Sequence, residues 1–144
     1  MEIKNKKAYF DYEILKELEC GIELKGPEIK SIRKGNANLK DCYGKIKDNE
    51  AFIINMFIGK YDEANIFNHD ERRTRKLLLH KNEILRLRSE VEEEGLTLVP
   101  LKMYFKNNKV KVLLGLCRGK KLYDKRESIK KKDLERAQRQ GLDE

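Results

Sequence analysis

The chain has 144 residues, with 33 Lys+Arg against 25 Asp+Glu, a formal net charge of +8 and 39% hydrophobic residues. That size holds one modest core, and the basic excess fits a polyanionic partner, because each Lys or Arg laid on a phosphate releases a condensed counterion. No stretch approaches the roughly 20 apolar residues of a membrane span, and no signal-peptide apolar segment follows Met1-Glu2-Ile3-Lys4.

In chain order, residues 8–15 alternate apolar and polar, which predicts a half-buried strand continuing through Cys20-Gly21-Ile22-Glu23-Leu24. Gly26-Pro27 stops the extended run, and Pro27 suits the first turn of a helix that Gly35 is placed to end. The pattern therefore predicts a short helix over 27–34, with Ile29 and Ile32 inward and Lys30, Arg33 and Lys34 outward. Two strands, 42–47 and 51–58, flank the turn pair Asp48-Asn49. Residues 59–74 have weak periodicity and much charge, and read as a long loop. A helix follows from His80 to Gly95, with Glu83 as the acid of a capping box and Ile84, Leu87 and Val91 on one face. Strands over 97–105 and 110–117 join through Asn107-Asn108. Cys20, Cys42 and Cys117 are too widely spaced for a disulfide framework or a metal knuckle, and read as small buried hydrophobes in a reducing, cytoplasmic compartment.

From Arg118 onward the pattern changes. Arg118 to Leu142 holds ten Lys/Arg against four Asp/Glu, so most of the net charge lies there. Such a segment cannot offset its own ordering entropy and is expected to stay disordered until a partner orders it. The fold class expected is mainly β: an OB-like closed antiparallel barrel of about six strands, with two to three flanking helices and a basic C-terminal tail. The division expected is an RNA-binding barrel over 1–120 and a tail over 121–144.

An enzyme needs a constellation of chemical groups, and the sequence offers none. His69 and His80 lie beside no Cys or carboxylate at ligand spacing, so neither a metal nor another cofactor is expected. Gly115-Leu116-Cys117-Arg118-Gly119-Lys120-Lys121 lacks the P-loop spacing and its Ser/Thr. A nuclease would need a carboxylate or His cluster. What recurs is basic residues near glycines and aromatics: Lys30-Ser31-Ile32-Arg33-Lys34-Gly35, Arg72-Arg73-Thr74-Arg75-Lys76 and Arg118-Gly119-Lys120-Lys121. Each alone is compatible with a solvated charged face, but three in one small domain favour RNA over a chance distribution of charge. A general single-strand or ribosomal RNA binder is the competing reading at this point.

The same blocks, in order and at matching spacing, resemble the SmpB family. They are Asn5-Lys6-Lys7-Ala8 with Asp11-Tyr12, and Gly26-Pro27-Glu28-Ile29-Lys30-Ser31-Ile32-Arg33-Lys34-Gly35. They continue as Asn68-His69-Asp70-Glu71-Arg72-Arg73-Thr74-Arg75-Lys76-Leu77-Leu78-Leu79-His80, then Gly95-Leu96-Thr97-Leu98-Val99-Pro100-Leu101. Arg118-Gly119-Lys120-Lys121 with Asp124-Lys125-Arg126-Glu127 completes the set. The resemblance implies an OB-like barrel that catalyses nothing. It binds the tRNA-like domain of transfer-messenger RNA (tmRNA) and delivers it to 70S ribosomes stalled without a stop codon. The barrel stands where a tRNA's anticodon arm would be, while the tail folds into a helix in the empty mRNA channel.

The RNA-binding residues this implies are Glu19, Leu78, His80, Lys111, Gly119 and Lys120, with the last three on the same surface, and the basic clusters add Lys30, Arg33, Arg75 and Lys76 as expected RNA contacts. Tyr123, Asp124, Lys125 and Arg126 would meet the decoding centre, and the protein would act as a monomer. Three departures bear on this. Glu71 stands where proline is usual, Leu134 where a larger residue is common, and the chain ends soon after Gln140.

Overall fold

A computed structural model describes residues 2–61 and 70–119. Its elements in order are β1 (Glu2–Lys4), α1 (Lys6–Asp11), β2 (Tyr12–Ile22), α2 (Gly26–Arg33), β3 (Ala37–Asn38), β4 (Tyr43–Lys47), β5 (Glu50–Ile54), β6 (Phe57–Ile58), β7 (Arg75–Leu78), α3 (Lys81–Glu94), β8 (Thr97–Lys106) and β9 (Lys109–Gly119). The ladder β8-β4-β5-β7-β2-β9 returns to β8, so six antiparallel strands close a barrel, and β1 adds to β8 outside the ring. β3 and β6 form a separate two-stranded sheet. The expected barrel is thus present, with three helices. The expected tail, 121–144, lies outside the described residues.

Period-2 alternation puts Cys20, Ile22, Ile53, Leu77, Leu98, Met103, Val112 and Leu114 inside the ring, each no more than 8% exposed. Ring closure between β4 and β8 rests on one pairing, Gly44 with Leu98. A Cβ at Gly44 would lie 2.7 Å from the Leu98 Cβ, so this seam closes only around a residue without a side chain. Both expected two-residue turns are present, with positive φ at Asp48 and Asn49 and at Asn107 and Asn108, the geometry that Asn and Asp tolerate best. The three cysteines are free and buried, and burial pushes the Cys20 and Cys42 thiols up to about 12 and Cys117 to about 11, so they pack as neutral groups.

Three elements depart from the sequence reading. Residues 8–11, expected to open a strand, belong instead to a helix over 6–11. Asn5 caps it, its Oδ1 accepting from the Ala8 N–H at 3.2 Å, while its Nδ2 donates to the Pro100 carbonyl and its backbone N–H to Leu101. A register shift in β8 between Pro100 and Lys102 accompanies that docking, and Ala8, Val99, Leu101 and Cys117 form a small second core beneath α1. The strand read over 51–58 breaks at Asn55, whose φ is 65°, and Phe57 and Ile58 leave to pair with β3. β7 is concealed in the sequence because one of its two inward positions, the one before Leu77, is occupied by Arg75, a charge where the alternation calls for an apolar side chain.

Candidate nucleic-acid interface

The barrel's outer face carries one row in register across four strands: Tyr104 on β8 opposite Lys111 on β9, Lys111 opposite Gly21 on β2, and Gly21 opposite Leu78 on β7. Side chains two residues apart share a strand face, so Glu19 stands beside Gly21 on this surface. Leu78 is 50% exposed and lies over Gly21, where an added Cβ would approach the Leu78 Cβ to 3.1 Å. Gly21 is what lets an apolar side chain lie flat on the sheet here.

A groove of about 580 Å³ opens at this row, lined by Glu19, Lys76, Leu78, His80 and Lys111 among others. α3 supplies its far wall. His80 takes the N-cap position, its backbone N–H donating to the Glu83 carboxylate at 3.1 Å, which leaves its ring exposed at the rim. A second hollow of about 320 Å³ shares Gly21, Leu78 and Lys111 with the first and continues to Leu24, Ile29 and Asn108. Among the lining residues of the main groove, Lys76, Lys81 and Lys111 are matched by Glu19, Glu50 and Glu83. The groove is polar and charge-balanced rather than a cationic trough, and Lys76 already pairs with Glu50 at 3.6 Å.

Glu19 accepts two side-chain hydrogen bonds in it. The Tyr104 phenol donates to its Oε2 at 2.5 Å and Lys106 Nζ to its Oε1 at 3.3 Å. Tyr104's hydrogen bond, and after it Lys106, hold the Glu19 carboxyl below its ordinary range, so it is an anion at neutral pH. Burial and the bond to Glu19 push the Tyr104 phenol up to about 12, so it stays protonated and donates.

The residues singled out in the sequence fall into distinct places. Glu19, Lys76, Leu78, His80 and Lys111, drawn from three strands and the turn before α3, meet in the groove. Lys30 and Arg33 lie on the outer face of α2. Lys30 and Lys34 sit over the Tyr61 ring at 5.4 and 4.7 Å, and Arg33 over Phe105 at 4.7 Å. These contacts hold the three cations against aromatic faces.

Two placements correct the expectation. Arg75 is fully buried, so it is a core residue and not a surface phosphate contact. Its guanidinium donates to Glu28 at 2.5 Å, to the Met56 carbonyl at 2.6 Å and to the Glu71 carbonyl at 3.1 Å. Gly119 pairs with Tyr12 at the opposite end of the β2–β9 ladder, eight residues and therefore roughly 26 Å along the strand from Lys111. It does not share that surface. Lys120, Tyr123, Asp124, Lys125 and Arg126 lie outside the described residues. Among the described residues, no group of three or more His, Cys, Asp or Glu is placed to hold a metal ion, and no helix is long and apolar enough to cross a membrane.

Tyr104, Lys106 and Gly21 were not anticipated. Tyr104 sits between Met103 and Phe105 in an unbroken apolar run, which hides that it faces outward, and its partner Glu19 is remote in sequence.

A family model described as SmpB protein matches residues 2–144. The SsrA-binding protein of Treponema denticola is 53% identical over 133 residues, covering 92% of this chain and 86% of the relative. That of Carboxydothermus hydrogenoformans is 54% identical over 92% of this chain and 89% of the relative. That of Gloeothece citriformis is 55% identical over 96% and 90%. A solved structure described as "tmRNA-SmpB: a journey to the center of the bacterial ribosome" superposes with a TM-score of 0.73 at 46% identity, covering 89% of this chain and 94% of that one.

Proposed function

The chain belongs to the SmpB family, and from that membership we propose that it is an RNA-binding adaptor of trans-translation, which binds tmRNA and works with it on stalled ribosomes in the cytoplasm. It is an adaptor and not an enzyme. The contact on tmRNA is the tRNA-like domain, held in the groove of Glu19, Lys76, Leu78, His80 and Lys111, with Lys30 and Arg33 on the flanking helix meeting phosphates. The single observation that carries the site is that these five groove residues, scattered over more than ninety positions of sequence, converge on one surface.

The physical chemistry supports a division of labour. A balanced groove with an exposed leucine and a fixed carboxylate recognises shape and base or sugar donors, which is how folded RNA with unstacked nucleotides is read. The basic segment beyond the barrel, residues 121–144, is rich in Lys and Arg and forms a second functional unit. There Tyr123, Asp124, Lys125 and Arg126 meet the decoding centre, and the remainder occupies the vacant mRNA channel. Lys120, next in sequence, adds its charge to the RNA contact.

The test is to purify the protein from its host under native conditions and sequence the RNA that comes with it. The expected result is strong enrichment of tmRNA over other RNA of similar length. Recovery of mixed messenger and ribosomal fragments without that enrichment would overturn the reading in favour of a general RNA binder.

A further inference from the structure

We propose that Tyr104 is a positioning residue for Glu19, fixing its carboxylate so that it accepts paired hydrogen bonds from the Watson–Crick edge of one unstacked guanine lying on Leu78. The inference rests on the RNA-binding reading of the groove and deepens it to a nucleotide.

A carboxylate cannot face phosphates without repulsion, so at an RNA interface it has to meet donors. Tyr104 and Lys106 each occupy one site on a different oxygen of Glu19. Each oxygen keeps a second lone-pair direction free, which leaves two acceptors side by side. Guanine is the RNA base whose Watson–Crick edge presents two adjacent donors, N1–H and the N2 amine. Adenine and cytosine place a donor beside an acceptor, and uracil has one donor between two acceptors. Leu78, half exposed over Gly21, offers an apolar shelf for the base face. Glu19 stands two residues from Gly21 on the same strand face, roughly 7 Å along the strand, about the breadth of a base. A nucleobase resting on Leu78 thus turns its edge toward the carboxylate.

Without the phenol, the Glu19 side chain has three free rotors and only Lys106 to restrain it, at the longer of the two distances. Other charged groups bearing on it are Lys111 of β9 and, across the groove, Lys76, Glu83 and His80, while Glu2 of β1 lies beside Tyr104. All of these side chains are retained in Tyr104→Phe, so the comparison of variant with parent isolates the phenol.

The experiment measures the affinity of the full chain for a transcript of the tmRNA tRNA-like domain from pH 5 to 8, for the parent, Tyr104→Phe and Glu19→Gln. Transcripts with single guanine-to-inosine replacements, which lack the N2 amine, are measured at neutral pH. Tyr104→Phe is expected to weaken binding roughly two- to tenfold at pH 7, the range of one net hydrogen bond. It should also move the acid limb of binding to higher pH, because the released carboxylate protonates more readily. One inosine replacement should weaken the parent by a similar factor and have no further effect on Glu19→Gln. The proposal is overturned if Tyr104→Phe keeps the parent's affinity and acid limb, if it loses stability with the limb unmoved, or if every inosine is neutral. Failure of the parent to bind the transcript at any pH would instead overturn the functional reading beneath it.

Discussion

At the scale of single residues, the sequence does not distinguish a cation that binds RNA from one that holds the core. Arg75 and Lys76 are neighbours in one basic cluster, yet Arg75 is fully buried while Lys76 points into the groove. Glu28 decides the matter. It is itself fully buried and accepts from Arg75, from Arg73 at 2.6 Å and from the Lys25 backbone N–H at 2.8 Å. Burial pushes the Glu28 carboxyl up, but the bonds from Arg73, Lys25 and Arg75 outweigh it and the net shift is downward. Its folded value therefore lies below its unfolded one, so its contribution is present above the unfolded glutamate value near 4.3 and is lost as pH falls toward the folded value.

Replacing Glu28 by Ala strands a buried guanidinium and should cost about 3–5 kcal/mol of unfolding free energy, read as a lower urea midpoint with the slope unchanged. Glu28→Gln should in addition remove part of the loss of stability below about pH 4.3. An unchanged midpoint would mean that the ion pair is not holding α2 to the barrel. Lys76→Ala is the counterpart. It should leave the midpoint within about 0.5 kcal/mol and reduce the logarithmic salt slope of RNA binding by about one.

At the scale of elements, strong local signals were legible and weak or long-range ones were not. The two Asn/Asp turns, the Gly26-Pro27 helix start, α3 with its Glu83 cap and the apolar strands β8 and β9 all follow from short-range chemistry that tertiary context does not override. α1 was misread because six residues are too few to display a 3.6-residue period, although Asn5 at its N-cap was a usable sign. β7 escaped because a buried ion pair inverts the polarity pattern. The groove itself is half legible: Glu19, Leu78, His80 and Lys111 come from family likeness and Lys76 from a basic cluster, but Tyr104 belongs with them only through pairing across strands.

Asn5 provides a test at this scale, since its buried side chain caps α1 and donates to the Pro100 carbonyl at 2.9 Å. Asn5→Ala should lower stability by about 1–2 kcal/mol, and hydrogen exchange should rise first in residues 6–11. Exchange rising evenly through the barrel would show that α1 is not a separable unit.

At the scale of the whole molecule, the proposed division is between a barrel that selects the RNA and a basic segment that engages the ribosome. Truncation after Lys121 should leave the barrel's unfolding transition intact and its affinity for the tRNA-like domain near that of the full chain, while abolishing peptide tagging on a reconstituted nonstop complex. Tagging at the normal rate by the truncated protein would mean that the segment serves only as counterions for RNA.

The central claim, that the groove and not the overall positive charge selects the RNA, is tested most directly by comparing two sets of variants. The measurement is the ratio of affinities for the tRNA-like domain and for an unstructured RNA of equal length, at fixed salt. Leu78→Asp with Lys111→Ala alters the groove, and Lys30→Ala with Lys34→Ala alters the outer face of α2. The groove pair is expected to collapse the ratio toward one, whereas the α2 pair weakens both RNAs together and preserves it. A groove variant that stays folded and keeps the parent's ratio would contradict the account.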